Sequence, residues 1–437
     1  MNILRAKTTD LFQSKLSEKQ KQNSALNIKE MEANLTKLES YPRRIVLEMT
    51  SACNIKCIFC GRDEAEFNQT YLKLDVLDKL DSVLDYCEEV TLFGWGEPTI
   101  NPKFKQFLQK LNKKNVRKYF VTNGTRLDKF IDDIFDYKVD IIAVSLDGAD
   151  AKTNDRIRVG AKFEKIIENI KAIIAKKESL NLSYPYMNFV FVAMESNIRE
   201  LPKMIKLAKE LKMQEVKVVF LSAFSTEMLK ESLYNKQDLV KSVFDEVALL
   251  ADKLNIKLKL PYIQGEDIAG DKYHKPCFVG WRDFFIGSDD SIRPCQSTSL
   301  KLGNLSDFDS FELAWNSKEM QDFRKNVNAE NGGGEYANSV QTLLPKLTRK
   351  LEQKVKLYSN WQCICTRLGE KEKRLIFGIL RILRILEILK IPTQNLLKTI
   401  FSFISFFIFP LNRRLKPYLQ TYLQTHPSPS VEVRYAN

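Results

Sequence analysis

The stretch "RIVLEMTSACNIKCIFC" (44–60) joins a Val/Ile/Leu-rich run to a loop carrying cysteines at 53, 57 and 60. "RIVLEM" (44–49) reads as a buried strand. "CNIKCIFC" (53–60) starts just past its C-terminal end. The chain has eight cysteines in 437 residues, so three in eight positions is a concentration that needs a chemical reason. Sulfurs three or four residues apart on one loop can reach a common metal centre. Three of them can hold three corners of a cubane iron–sulfur cluster and leave the fourth iron open. A zinc site, or three buried cysteines, is the alternative on spacing alone.

Further runs of the same kind follow: "EVTLFG" (89–94), "RKYFVT" (117–122), "DIIAVSL" (140–146), "NFVFVAM" (188–194) and "VKVVFL" (216–221). Between them lie patterns with apolar residues at i, i+3, i+4 and i+7: 74–87, 103–114, 127–135, 163–177 and 201–212. Alternating strand and helix means parallel strands joined by right-handed crossovers. The expected fold class is α/β, a partial (β/α)6-type parallel barrel with chemistry at the C-terminal strand ends. Residues 1–40 read as a polar, helix-prone segment and 41–262 as the barrel. Residues 263–370 read as a small auxiliary domain containing an inserted loop at 326–345, and 371–437 as a helical tail.

Composition narrows the function classes. The N-terminus lacks the apolar run of a secretory signal, which points to the cytoplasm, where thiols stay reduced. The chain has only two histidines, His274 and His426, so chemistry built on several imidazoles is nearly excluded. The net charge of +13 is uneven: residues 346–416 carry 16 Lys and Arg against four acids. A basic tail on a near-neutral body argues against a protein-wide nucleic-acid groove, and no nucleic acid is expected as partner. In "KRLIFGILRILRILEILKI" (373–391), charges at 381, 384, 387 and 390 trace a narrow strip on an apolar helix. The uncharged run 399–412 is shorter than the ~20 residues of a membrane span. The tail therefore reads as a peripheral anchor on an anionic membrane, the inner face of the cytoplasmic membrane. A helix packed on the barrel or an oligomer contact is the alternative.

Cys-x3-Cys-x2-Cys with Phe59 before the last cysteine resembles the radical S-adenosylmethionine enzymes. "GWGEP" (94–98), "TNGT" (122–125) and "SLDG" (145–148) follow at successive strand ends in the order that family shows. Taken singly, each is an ordinary βα turn; together they carry the resemblance over residues 41–260. It implies that Cys53, Cys57 and Cys60 hold a [4Fe-4S] cluster that binds S-adenosylmethionine (SAM). It also implies that Gly94, Gly96, Glu97, Asn123, Ser145, Phe59 and Arg158 contact the cofactor. Arg158 takes the cofactor carboxylate, with Arg156 as rival. The implied reaction is reductive cleavage of SAM to a 5′-deoxyadenosyl radical, fed by a flavodoxin or ferredoxin, and hydrogen abstraction from the substrate.

Further on, Cys277, Trp281, Gly287, "RPC" (293–295), "GN" (303–304) and "AWNS" (314–317) resemble the SPASM or twitch extension of that family. This implies one auxiliary Fe–S cluster held by Cys277, Cys295, Cys363 and Cys365. His274 is a possible substitute ligand, and Cys87 is read as a core residue. Only about 40 residues precede the barrel, too few for a leader-binding or cobalamin domain. With the basic tail, that favours a sugar or lipid-linked substrate. A peptide maturase is the runner-up, and a non-catalytic Fe–S or zinc interaction protein the third reading.

Overall fold

The computed structural model describes residues 16–64, 68–261, 277–296 and 300–328. His274, His426, Cys363, Cys365 and the tail 371–437 lie outside the described residues.

The first element, helix α1 (Glu18–Glu32), starts at a capping box: the Gln20 amide donates to Ser17 Oγ, and Gln20 Oε1 accepts from the Ser17 amide. It buries polar side chains rather than an apolar stripe. Gln20 Nε2 donates to Cys87 O at 2.6 Å, and Asn23 Nδ2 donates to Tyr41 O and Tyr86 O. Asn27 Nδ2 donates to Trp281 O at 2.8 Å. Each bond satisfies a backbone carbonyl at a loop or helix end.

Strand β1 (Arg44–Leu47) leads into a short β2 (Lys56–Cys57) within the cysteine loop, then α2 (Val76–Lys79) and β3 (Glu89–Leu92). There follow α3 (Phe104–Leu111), β4 (Arg117–Thr122), α4 (Ile131–Asp136), β5 (Ile141–Ser145), α5 (Ala151–Ile157) and β6 (Arg158–Val159). The barrel continues through α6 (Phe163–Ser179), β7 (Tyr186–Ala193), α7 (Leu201–Glu210), β8 (Glu215–Phe220), α8 (Gln237–Leu254) and β9 (Lys257–Lys259). Last come α9 (Val279–Arg282), β10 (Asp283–Ile286), β11 (Ile292–Arg293), α10 (Phe311–Trp315) and α11 (Lys318–Val327).

The main sheet runs β11-β10-β1-β3-β4-β5-β7-β8-β9, parallel throughout except for the antiparallel β10–β11 pair. The helices supply the outer half of the core. Phe107, Leu108 and Leu111 of α3 and Ile166, Ile170 and Ile173 of α6 are fully buried. Burying each such side chain is worth about 1.5–3 kcal/mol.

The structure differs from the sequence expectation in three places. The pattern over 74–87 is not one helix but α2 and a 3-10 turn, Val83–Asp85. Asp and Ser in that stretch compete for the backbone and favour turns. Helix α8 and strand β9, which no reading of the sequence singled out, extend the alternation by one more unit. The third is a strand pairing the sequence did not announce: β10, within the region expected as the auxiliary domain, lies directly alongside β1, with Arg44 opposite Asp283 and Leu47 opposite Ile286. Trp281 and Trp315 bolt it to the loop after α1: Trp281 Nε1 donates to Leu35 O at 2.7 Å and Trp315 Nε1 to Ser40 O at 2.8 Å.

Candidate functional site

The loops after β1, β3, β4 and β5 meet at one end of the sheet. The Gly96 and Glu97 amides donate to Thr50 O (3.1 Å) and Ala52 O (2.9 Å), zipping "GWGEP" onto the residues just before Cys53. A Cβ on Gly96 would lie 2.2 Å from Ala52 O, so only glycine permits this approach. From the β4 end, Asn123 Nδ2 donates to Asn54 Oδ1 at 2.9 Å and to Cys53 Sγ at 3.8 Å. From beyond β5, β6 pairs antiparallel with β2, setting Arg158 opposite Cys57. The cysteine loop is thus held by three separate motifs.

Cys53, Cys57, Cys60, Phe59, Gly94, Gly96, Glu97, Asn123, Ser145 and Arg158 all line one cavity, as do Cys277 and Cys295. Its volume is about 1070 Å³. Arg156, the rival to Arg158, is exposed and does not line it. Cys87 lies away from it, fully buried just before β3, its Sγ donating to Pro42 O at 3.0 Å.

The donor set fits an iron–sulfur cluster. Soft thiolates suit Fe–S centres. Burial pushes the Cys57 thiol up to about 11, against the pull of the Arg158 charge; the neighbouring Cys60 and Cys53 add to the rise. Burial also raises Cys53. Such thiols stay protonated near neutral pH unless a metal centre displaces the proton. Among the described residues, no three His, Cys, Asp or Glu side chains could hold a single metal ion.

Glu97 is engaged by neighbouring loops of the protein itself. It is 2 % exposed, and Oε1 accepts from Thr99 Oγ1 and Thr122 Oγ1, each at 2.7 Å. Oε2 accepts from the Asn123 amide at 2.7 Å. Burial raises its pKa, opposed by these donors. The carboxylate braces the β3 loop against the β4 loop, so what this motif offers a ligand is mainly its backbone.

Two acids were missed in the sequence. Glu48, 1 % exposed, accepts from the Trp95 amide through Oε1 and from the Ser288 amide through Oε2, tying "GWGEP" to the β10 turn. Asp147, 0 % exposed, sits 2.7 Å from Arg158 Nε. The available signal was a carboxylate inside an apolar strand at 48, and the acid within "SLDG" at 147.

Comparison with known proteins agrees with this geometry. Residues 47–189 match the radical SAM superfamily, and residues 277–334 match SPASM, an iron–sulfur cluster-binding domain. The tungsten-containing aldehyde ferredoxin oxidoreductase cofactor-modifying protein of Pyrococcus furiosus is 24 % identical over 261 residues, 57 % of this chain and 70 % of that protein. Streptococcus suis SuiB bound to its precursor peptide SuiA superposes with TM-score 0.52 at 17 % identity, covering 69 % of this chain and 70 % of that one. Native anSMEcpe with bound AdoMet and Cp18Cys peptide gives TM-score 0.50 at 19 % identity, covering 69 % of this chain and 88 % of that one.

Proposed function

This chain belongs to the radical SAM enzymes with a C-terminal SPASM domain, and from that premise we propose that it modifies a peptide within its barrel. Its cofactors are a [4Fe-4S] cluster with SAM and an auxiliary Fe–S cluster; when bound, they supply reductive cleavage of the sulfonium and hydrogen-atom abstraction. Cys53, Cys57 and Cys60 hold the first cluster. The backbone of Gly94–Glu97 meets the methionine end of SAM, while Phe59, Asn123 and Ser145 line the rest of its seat. Cys277 and Cys295 offer ligands to the auxiliary cluster. A flavodoxin or ferredoxin is the reductant.

The open cavity is compatible with a peptide. Its volume of about 1070 Å³ also has to seat the cofactors. It reaches from the cysteine loop to Cys277 and Cys295. Among the described residues β9 and β11 stay unpaired with each other, so the sheet is open at its edges. The solved structures of this fold that hold peptides support the same reading and favour it over a sugar or lipid-linked substrate. The basic tail is proposed as a peripheral membrane contact; among the described residues no helix is long and apolar enough to cross a membrane.

Anaerobic reconstitution tests the proposal. With dithionite and SAM, 5′-deoxyadenosine should form, and a pool of synthetic peptides should raise its yield and return peptides of altered mass. Stimulation by lipid-linked sugars alone would replace the peptide with a sugar. No 5′-deoxyadenosine under any condition would overturn the radical reading itself.

A further inference from the structure

Arg158 has surroundings that a contact to the cofactor carboxylate does not explain. It is 6 % exposed, and its Nε lies 2.7 Å from Asp147 Oδ2. Asp147 is itself fixed. Its Oδ1 accepts from the Val192 amide at 2.7 Å, its amide donates to Asn154 Oδ1, and its carbonyl accepts from Asn197 Nδ2. Beside this ion pair with Asp147, Nη1 donates to Cys57 Sγ at 3.8 Å. The guanidinium lies 5.6 Å from the centre of the Phe59 ring. The β2–β6 pairing and the Ile58 amide bond to Ile157 O at 3.0 Å hold the two backbones in register.

We infer that Arg158 is a positioning residue for the cluster ligand Cys57, raising the reduction potential of the first cluster through a charged N–H···S contact that Asp147 anchors. The inference rests on the radical SAM reading. Reduction adds an electron to the cluster, and a cation and N–H donor at a ligating sulfur stabilise that form more than the oxidised one. A buried site strengthens the effect because solvent screening is weak. Asn123 makes the equivalent contact to Cys53 without a charge, so its influence is smaller.

The test is an EPR-monitored redox titration of the reconstituted full-length protein without SAM. SAM affinity of the oxidised protein is measured alongside. Arg158→Gln should shift the reduction equilibrium about tenfold toward the oxidised form, about 59 mV for one electron. Arg158→Lys should shift it less, and SAM affinity should stay within about twofold in both. Should removal of one charge prevent folding, the double variant Asp147→Asn/Arg158→Gln leaves neither charge orphaned and should shift the equilibrium in the same direction but by less than the single variant, because loss of the Asp147 charge offsets part of the effect. An unchanged SAM-free potential with weakened SAM binding overturns the inference and assigns Arg158 to the cofactor carboxylate. A wild-type protein that never holds four irons overturns the radical SAM reading, and this inference with it.

Discussion

Glu48 and Trp95 are joined by a hydrogen bond of 2.8 Å from the Trp95 amide to the carboxylate, between the end of β1 and the loop after β3. The other oxygen of Glu48 accepts from the Ser288 amide (3.1 Å) and Ser288 Oγ (3.2 Å). Glu48→Ala leaves these donors unsatisfied in a buried place, at about 1–3 kcal/mol for each that water cannot reach. We expect a loss of about 3 kcal/mol in chemical denaturation and roughly tenfold weaker SAM binding. Wild-type SAM affinity in this variant would restrict Glu48 to stability.

Gly96→Ala tests the close approach of the β3 loop. Its Cβ would stand 2.2 Å from Ala52 O and 2.4 Å from Thr50 O, both backbone atoms that cannot swing aside. The loop must move off the cysteine segment, costing on the order of 2 kcal/mol. Iron content and SAM binding should both fall, while Gly160→Ala, with no contact nearer than 3.6 Å but a φ of +93°, should cost stability by backbone strain alone.

The turn after β10 should be acid-sensitive. Asp289 is partly desolvated, which raises its pKa, but bonds from Lys301 and Ser291 and the Arg293 charge hold it far below the usual carboxylate range. A depressed folded pKa contributes stability that is complete above the unfolded value near 3.9 and is lost as pH falls further. Melting temperature should therefore drop below about pH 4, and the slope there should be shallower in Asp289→Asn, a change worth on the order of 1 kcal/mol.

The cysteines should separate by role. Cys57→Ala should remove four-iron absorption and 5′-deoxyadenosine together. Cys87→Ala should keep iron content and activity. Its buried thiol is lost from the core, at about 1–2 kcal/mol, and denaturant midpoints would register it. Loss of iron in the Cys87 variant would mean that this cysteine feeds the cluster after all.

Removing residues 371–437 should move the protein from the membrane fraction to the supernatant in cell lysates. Identical fractionation of the full and shortened chains would end the anchoring proposal.

The strands were legible because each is a short Val/Ile/Phe run between turn residues, and parallel strands buried on both faces read that way. Strand β10 was not legible as part of the main sheet: "DFFI" follows a break in the α/β rhythm, and nothing local says it lies beside Arg44. Strand β9 was hidden in "KLKL", where charges alternate with leucines. In the site, Gly94, Gly96 and the three cysteines announce themselves by spacing. The braces do not, because the partners of Glu48 lie 47 and 240 residues away. The leaning toward a sugar substrate came from the basic tail and the short stretch ahead of the barrel, whereas the peptide-holding structures of this fold favour the runner-up.

The pairing of β1 with β10 also orders events during synthesis. Arg44 meets Asp283 across 239 residues, so one flank of the first strand stays bare until translation has passed Ile286. A nascent chain halted earlier carries the three clustered thiols on a strand with an unpaired edge, exposed to mispairing and oxidation. Long-range closure of this kind is slow. Iron delivery to this protein is thus best matched to a chain whose β10 has already emerged to cover the first strand.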